Sequence, residues 1–268
     1  MGKGWAKGLT AATDPRIAKA AAAHRGMQYV RRTPVELCRW PLAGFTKLAL
    51  TWSDEMAYVV GLTATDGCLI TGRRAINFKS GDRQLVETYL RLLGRQNRVK
   101  SHPTENGGVV YFTQFHDSAL YEWFKSVGLS PRKSLTIGAL SVPDGFFFAL
   151  ARGLLDGDGS IINKIYRADT VRRDDYYWEC LITRFISASR THIEWLRSRF
   201  LATTGQLGTL GVATTKPLGN RQLLFELEFG KRSSLVLLPV LYPEGAPCLE
   251  RKRASWTDYQ RRHAPPIV

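Results

Sequence analysis

The sequence predicts a mixed α+β chain in which one αββαββα unit is built twice. Three observations carry this. Val59-Val60-Gly61-Leu62-Thr63-Ala64-Thr65-Asp66-Gly67 and Ala151-Arg152-Gly153-Leu154-Leu155-Asp156-Gly157-Asp158-Gly159 share an apolar run, a small residue at the third position, a second small residue four later, and a closing Asp-Gly. Chance rarely supplies such a string twice, so repetition marks two copies of one structural unit. Strand-like and helix-like periodicities then follow each copy in the same order. Finally, 268 residues are ample for two fused halves with cores of their own.

In the first copy, Cys68 to Lys79 reads as strand, turn, strand, with Gly72 at the bend. Leu85, Val86, Tyr89, Leu92 and Leu93 recur at helical spacing up to Gly94. Val99 and Val109–Phe112 suggest a second strand pair bridged by Asn106-Gly107-Gly108. Ala119, Leu120, Trp123, Phe124 and Val127 complete a helix, and Gly128-Leu129-Ser130-Pro131 opens the connection. The second copy starts a buried helix at Pro143-Asp144 through Phe146, Phe147, Ala149 and Leu150. Ile161–Arg167 and Trp178–Ser187 are strands joined by a charged loop through Arg172, Arg173, Asp174 and Asp175. A helix through Ile193, Leu196, Phe200 and Leu201 ends near Gly205. Strands at 207–213 and 223–229 and a helix over 235–241 close the unit. The expected organisation is a basic extension at 1–52, a first half with linker at 53–140, and a second half with a basic tail at 141–268.

The repeated helices carry the chemistry. Gly61 and Thr65, like Gly153 and Gly157, lie four apart and so share a face nearly bare of side chains. Such a face lets another backbone come closer than the usual 8–10 Å or so between helix axes. It also compensates the roughly 1 kcal/mol that each helical glycine costs against alanine. The two faces are expected to pack on each other. Asp66 and Asp158, 92 positions apart, fall in the last turns, where the macrodipole is negative and a cation is preferred. Gly67 and Gly159 suit left-handed caps. Two carboxylates at two negative helix ends repel, and a divalent cation relieves that repulsion; oxygen ligands suit magnesium. A calcium loop starting at Asp156 is excluded, since its sixth and twelfth positions are Ile161 and Arg167 rather than Gly and Glu.

These residues resemble the LAGLIDADG homing endonucleases, in the single-chain form with two motif copies, over about Ser53 to Lys252. The resemblance implies pseudo-symmetric halves whose antiparallel sheets form a DNA-binding saddle, with the motif helices between them. It implies that Asp66 and Asp158 are catalytic metal ligands, each over one scissile phosphate. The first motif departs from the pattern at Ala64, where the family often has Asp; that residue is not the ligand. Lys133 and Lys252, in Pro131-Arg132-Lys133 and Glu250-Arg251-Lys252 just past each half, are candidates for stabilising charge at the metals. His24, His102, His116, His192 and His263 are scattered, so no histidine catalysis is expected.

Sequence reading of DNA would come from strand ribbons in the major groove. Candidates are Arg73, Arg74, Asn77, Lys79, Gln114 and His116 in the first half. In the second they are Asn163, Lys164, Arg167, Arg184, Ser187, Ser189, Lys216, Asn220 and Arg221. Composition agrees: 38 Lys+Arg against 23 Asp+Glu give a net charge of +15, which draws polyanions. Residues 1–50 hold nine of those bases against Asp14 and Glu36, with an Ala-rich helix expected over 14–24 and docking aromatics in Trp5, Trp40 and Phe45. Cys38, Cys68, Cys180 and Cys248 form no C-x-x-C pair, excluding a zinc or disulfide framework. No signal peptide or membrane-length apolar run is found, so an intracellular protein is expected.

The expected function is therefore a monomeric, magnesium-dependent, sequence-specific endonuclease making double-strand breaks. Manganese or calcium would substitute for binding. Resemblance adds cleavage across the minor groove with short 3′ overhangs, and a role in intron or intein mobility. Without protein-splicing blocks at either end, a free-standing or intron-encoded enzyme is favoured. Two non-identical halves imply a non-palindromic target. The alternative is a binder on the same scaffold, either an RNA maturase acting on intron RNA or a DNA-binding regulator that does not cut. Retention of both acids favours the nuclease.

Overall fold

The computed structural model describes residues 50–167, 177–213 and 223–264, together with 12–15, 18, 19 and 22. Met1–Phe45 forms one compact unit and Thr46–Val268 a second, and the repeat lies wholly in the second. Most of the 14–24 helix, the charged loop through Arg172–Asp175, and Lys216, Asn220 and Arg221 lie outside the described residues.

The first copy opens on α1 (Asp54–Thr65), whose N-cap Ser53 accepts a bond from the Met56 amide at 3.1 Å, with Asp54 and Glu55 complementing the dipole. Met56 to Thr63 are all buried, so this helix is enclosed on every side. Strands β1 (Gly67–Ile70) and β2 (Ala75–Ser80) form a hairpin, followed by α2 (Arg83–Leu92), β3 (Lys100–Pro103), β4 (Val109–His116) and α3 (Ser118–Ser126). The sheet order is β1-β2-β4-β3, antiparallel throughout. Leu69, Ile76, Phe78 and Phe115 point into the core, and Phe78 stacks on Tyr89 of α2 at 4.1 Å. By strand alternation the opposite, open face carries the registered row Cys68, Asn77, Gln114 and the row Lys79, Phe112, Lys100.

The second copy repeats the plan. A 3₁₀ turn (Asp144–Phe146) leads into α4 (Phe147–Gly157), then β5 (Ser160–Arg167), β6 (Tyr177–Ser187), α5 (Arg190–Thr204), β7 (Thr209–Val212), β8 (Phe225–Phe229) and α6 (Lys231–Leu241). The order β5-β6-β8-β7 matches the first sheet strand for strand. Leu181, Thr183, Phe185, Leu227 and Phe229 are buried on the helix side.

Two expectations need correction. The basic tail is not a tail: Glu250–Arg262 is a further helix, α7, with Lys252, Trp256 and Tyr259 buried. Gly67 and Gly159 are not left-handed caps, as neither has positive φ. Crowding explains them instead. A Cβ on Gly67 would lie 2.6 Å from Thr63 Cγ2, and one on Gly159 would lie 2.6 Å from Leu155 Cδ1 and 2.7 Å from the Arg184 carbonyl oxygen.

Candidate active site

The site is set by how α1 and α4 cross. A methyl group on Gly61 would collide with the Leu150 carbonyl and reach 2.9 Å from Gly153 Cα. One on Gly153 would collide with the Tyr58 carbonyl and reach 3.0 Å from Gly61 Cα. The contact is reciprocal, as expected for a pseudo-two-fold axis between the motif copies. One turn on, the symmetry is broken in a complementary way, because Thr65 fills the space that Gly157 leaves empty.

This crossing brings the C-terminal ends of both helices together. Asp66 and Asp158 are the C-cap residues, one position beyond the expected last turn, with near-identical backbones (φ −90°, ψ −7° and φ −92°, ψ −11°). Burial raises both carboxyls, and Asp158 beside it helps lift Asp66 to about 7. Lys252 and Lys133 oppose the rise at both aspartates. All four charged groups therefore share one electrostatic neighbourhood.

Each lysine is buried, and burial lowers each to about 8. Lys133 Nζ donates to the Gly67 carbonyl, just past the end of α1. Arg132 before it is left-handed (φ 57°), a costly backbone for a side-chain-bearing residue. Lys252 Nζ donates to the carbonyls of Leu155 (2.6 Å), Asp156 (2.8 Å) and Gly157 (3.2 Å), the unpaired end of α4. Thus the cations that the macrodipoles call for come from elsewhere in the chain.

Behind the second aspartate lies a polar network that the sequence did not disclose. Asp156 is buried and accepts from Tyr58 Oη (2.8 Å), Tyr242 Oη (2.6 Å) and the Leu249 amide (2.7 Å). Burial raises its carboxyl, while these donors and Lys252 hold it partly down. Arg152 donates to the carbonyls of Pro247 and Leu241, both at 2.9 Å, and covers the Tyr58 ring at 5.3 Å. Ala64 and Val60 stand at the matching positions of the first copy. There the anchor is a hydroxyl pair, Thr63 Oγ1 and Tyr89 Oη, 3.0 Å apart. A cavity of about 400 Å³ opens beside Asp158, lined also by Thr65, Ser134 and His192. Burial lowers the pKa of His192, whose Nδ1 lies 2.7 Å from the Gly138 carbonyl oxygen.

The expected DNA-contact residues divide by strand parity. Lys79 and Gln114 lie on the open face of the first sheet, with Asn77 on the same side but itself buried, and Lys164 and Arg184 lie on that of the second. Arg184 pairs there with Glu228 at 2.6 Å and Glu226 at 3.6 Å. Arg73 and Arg74 sit in the β1–β2 turn, where Arg74 pairs with Glu122 at 3.5 Å; the Arg73 carbonyl lies 3.0 Å from His116 Nδ1. Four others are turned elsewhere. Asn163 points back to α7 and donates to the Ser255 carbonyl at 2.7 Å; Arg167 and Ser187 share its side of the sheet. Ser189 is buried as the N-cap of α5, and its hydroxyl bonds the Ile137 carbonyl at 2.5 Å. Alternation sets these faces, and the register needed to apply it exists only in three dimensions.

Among the described residues, no three His, Cys, Asp or Glu side chains gather as a metal-binding group. Asp66 and Asp158 offer two carboxylates, which fits a hard cation that completes its shell with water and phosphate oxygens rather than one caged by protein. No helix among the described residues is long and apolar enough to cross a membrane.

No protein-family model and no curated protein matches the sequence. Solved structures do match in three dimensions. The meganuclease I-SmaMI, bound to uncleavable DNA with a TTGT central four, is 13% identical with a TM-score of 0.50, covering 83% of this chain and 94% of its own. The I-LtrWI LAGLIDADG homing endonuclease bound to target DNA is 11% identical, also at 0.50, covering 78% and 91%. The chain has the LAGLIDADG homing-endonuclease fold, with both motif copies on one polypeptide.

Proposed function

We propose that this chain is a metal-dependent, sequence-specific DNA endonuclease that cuts both strands of a long, non-palindromic duplex site as a monomer. One observation carries the reading: two crossed helices end in equivalent aspartates at a shared site, each with a buried lysine at its helix end. A protein that only binds phosphates has no use for two carboxylates at one site, one half-buried and one exposed, which repel the backbone. Asp66 and Asp158 would hold magnesium, with manganese as a substitute. When bound, the cation supplies charge stabilisation at the phosphorus and an acidified water.

The chain's own groups do the rest. The sheets' open faces orient the duplex through Lys79, Gln114 and Lys164, so that a phosphate of each strand lies over the helix ends. Lys133 and Lys252 keep positive charge beside the carboxylates as negative charge grows on the phosphoryl oxygens. In each strand the oxygen of a water bonds to phosphorus as one ester P–O bond breaks; one water proton passes to solvent and the departing oxygen takes up a proton. Lys252 commits all three of its N–H groups to carbonyls, so it acts as a fixed charge and a helix cap.

The test is cleavage of a randomised duplex library with magnesium by wild type, Asp66→Asn and Asp158→Asn. Wild type should cut one long site, and each variant should lose the double-strand break. A wild-type protein that binds a site but never cuts it with magnesium or manganese is a binder, and structured intron RNA is then the ligand to try.

A further inference from the structure

The second half extends a longer arm than the first. β1 and β2 pair over four positions, Gly67↔Phe78 to Ile70↔Ala75, whereas β5 and β6 pair over eight, Ser160↔Arg184 to Arg167↔Tyr177. At about 3.4 Å per residue the difference is about 13 Å of ribbon, or roughly four base-pair steps. β6 meets β8 only over Thr183–Ser187, so the outer part of the ribbon extends past the body of the sheet.

A two-stranded ribbon is marginal alone, and α7 supports this one from behind. Asn163 bonds Ser255 and Arg262 of that helix, and Glu179 bridges to Lys231, Arg262 and His263 at 2.8–2.9 Å. Desolvation works against the Glu179 charge, yet these three donors hold its carboxyl down at about 2. The rear of the ribbon is thus tied to the protein.

Its front is not. Tyr166 and Trp178 are registered partners on the open face, stacked at 4.6 Å and 18°, and remain 38% and 47% exposed. Ile162 and Ile182 precede them on the same face, with Lys164 between. An aromatic pair left in water on a buttressed ribbon offers that face to a partner. The +15 charge of the chain, and continuity with a face that also carries Lys164 and Arg184, make that partner a nucleic-acid duplex. The apolar features a major groove presents are thymine C5-methyl groups.

We propose that the Tyr166–Trp178 pair reads thymine methyl groups in the major groove at the outer end of the second half's segment of the target. This rests on the DNA-binding reading above and makes the recognition lopsided, since the described residues of the first half place no such arm there.

The experiment enriches bound duplexes from a randomised pool with the full chain in calcium, then replaces thymine by deoxyuridine at the enriched outer end, which deletes only the methyl. Wild type should enrich thymine at one outer end and lose about threefold to tenfold in affinity per methyl removed. Trp178→Ala should bind thymine and deoxyuridine duplexes equally, while Trp178→Phe keeps the preference; unchanged thermal unfolding shows that both variants fold. Equal wild-type affinity for the two duplexes, or a thymine preference surviving in Trp178→Ala, overturns the proposal. So does a Trp178→Ala defect confined to single-stranded oligonucleotides, which marks stacking on unpaired bases. If wild type enriches no duplex at all, the DNA-binding reading itself fails.

Discussion

The ends of α1 and α4 perform the same task with different materials. At the end of α4, Asp156 gathers two tyrosine hydroxyls and the Leu249 amide, while Lys252 closes three carbonyls. At the end of α1, Ala64 replaces Asp156, Thr63 meets Tyr89, and Lys133 closes one carbonyl. Yet the two terminal aspartates keep almost the same backbone. Symmetry is held at the two terminal carboxylates and relaxed behind them, so each half can be anchored by whatever its own core provides.

The largest expected effect breaks what the halves share. Gly61→Ala or Gly153→Ala forces a methyl into opposing backbone, which cannot rotate away, and should cost about 3 kcal/mol or more in urea unfolding. A loss under about 1 kcal/mol would mean that the helices do not cross this closely. Next come the anchors. Asp156→Ala strands three buried donors and should cost about 3 kcal/mol. The corresponding exchange at Thr63, Thr63→Ala, should cost about 1 kcal/mol, since only a hydroxyl pair is lost.

The lysines sharpen the contrast further. Lys252→Met should destabilise by about 2 kcal/mol and Lys133→Met by about 1 kcal/mol, following the number of carbonyls uncovered. Equal losses would show that the caps are equivalent after all. The last effect is a gain. Asp66 titrates near 7 in the fold against 3.8 in the free side chain, so the folded state holds the proton more tightly. Its contribution to stability is full below about pH 4 and is lost as pH rises to about 7. Asp66→Asn removes this dependence, so it should match wild type near pH 4 and exceed it above pH 7. Parallel pH profiles for the two proteins would refute the shared carboxylate site.

Much of this was legible in the chain because the informative features are local. The spacing of Gly61 and Gly153, the repeated Asp-Gly, and the matched Lys133 and Lys252 all survive in one dimension. What was not legible depends on neighbours far away in sequence. A glycine after an aspartate reads as a cap, but Gly67 is needed because Thr63 crowds it, and Gly159 because Leu155 and Arg184 do. Helix α7 was hidden because only Lys252, Trp256 and Tyr259 are buried along it, too few to set a periodic pattern. Asn163 and Lys164 looked alike as contact residues, yet adjacent strand positions face opposite ways.

Thr65 and Gly157 fit as a peg fits a socket, and that small asymmetry makes the two halves complementary rather than interchangeable. Two copies of the first half would press threonine on threonine at the crossing, and two copies of the second would leave a gap between glycines. The mixed pair packs best, so a polypeptide severed between the halves should reassemble preferentially as the mixed pair.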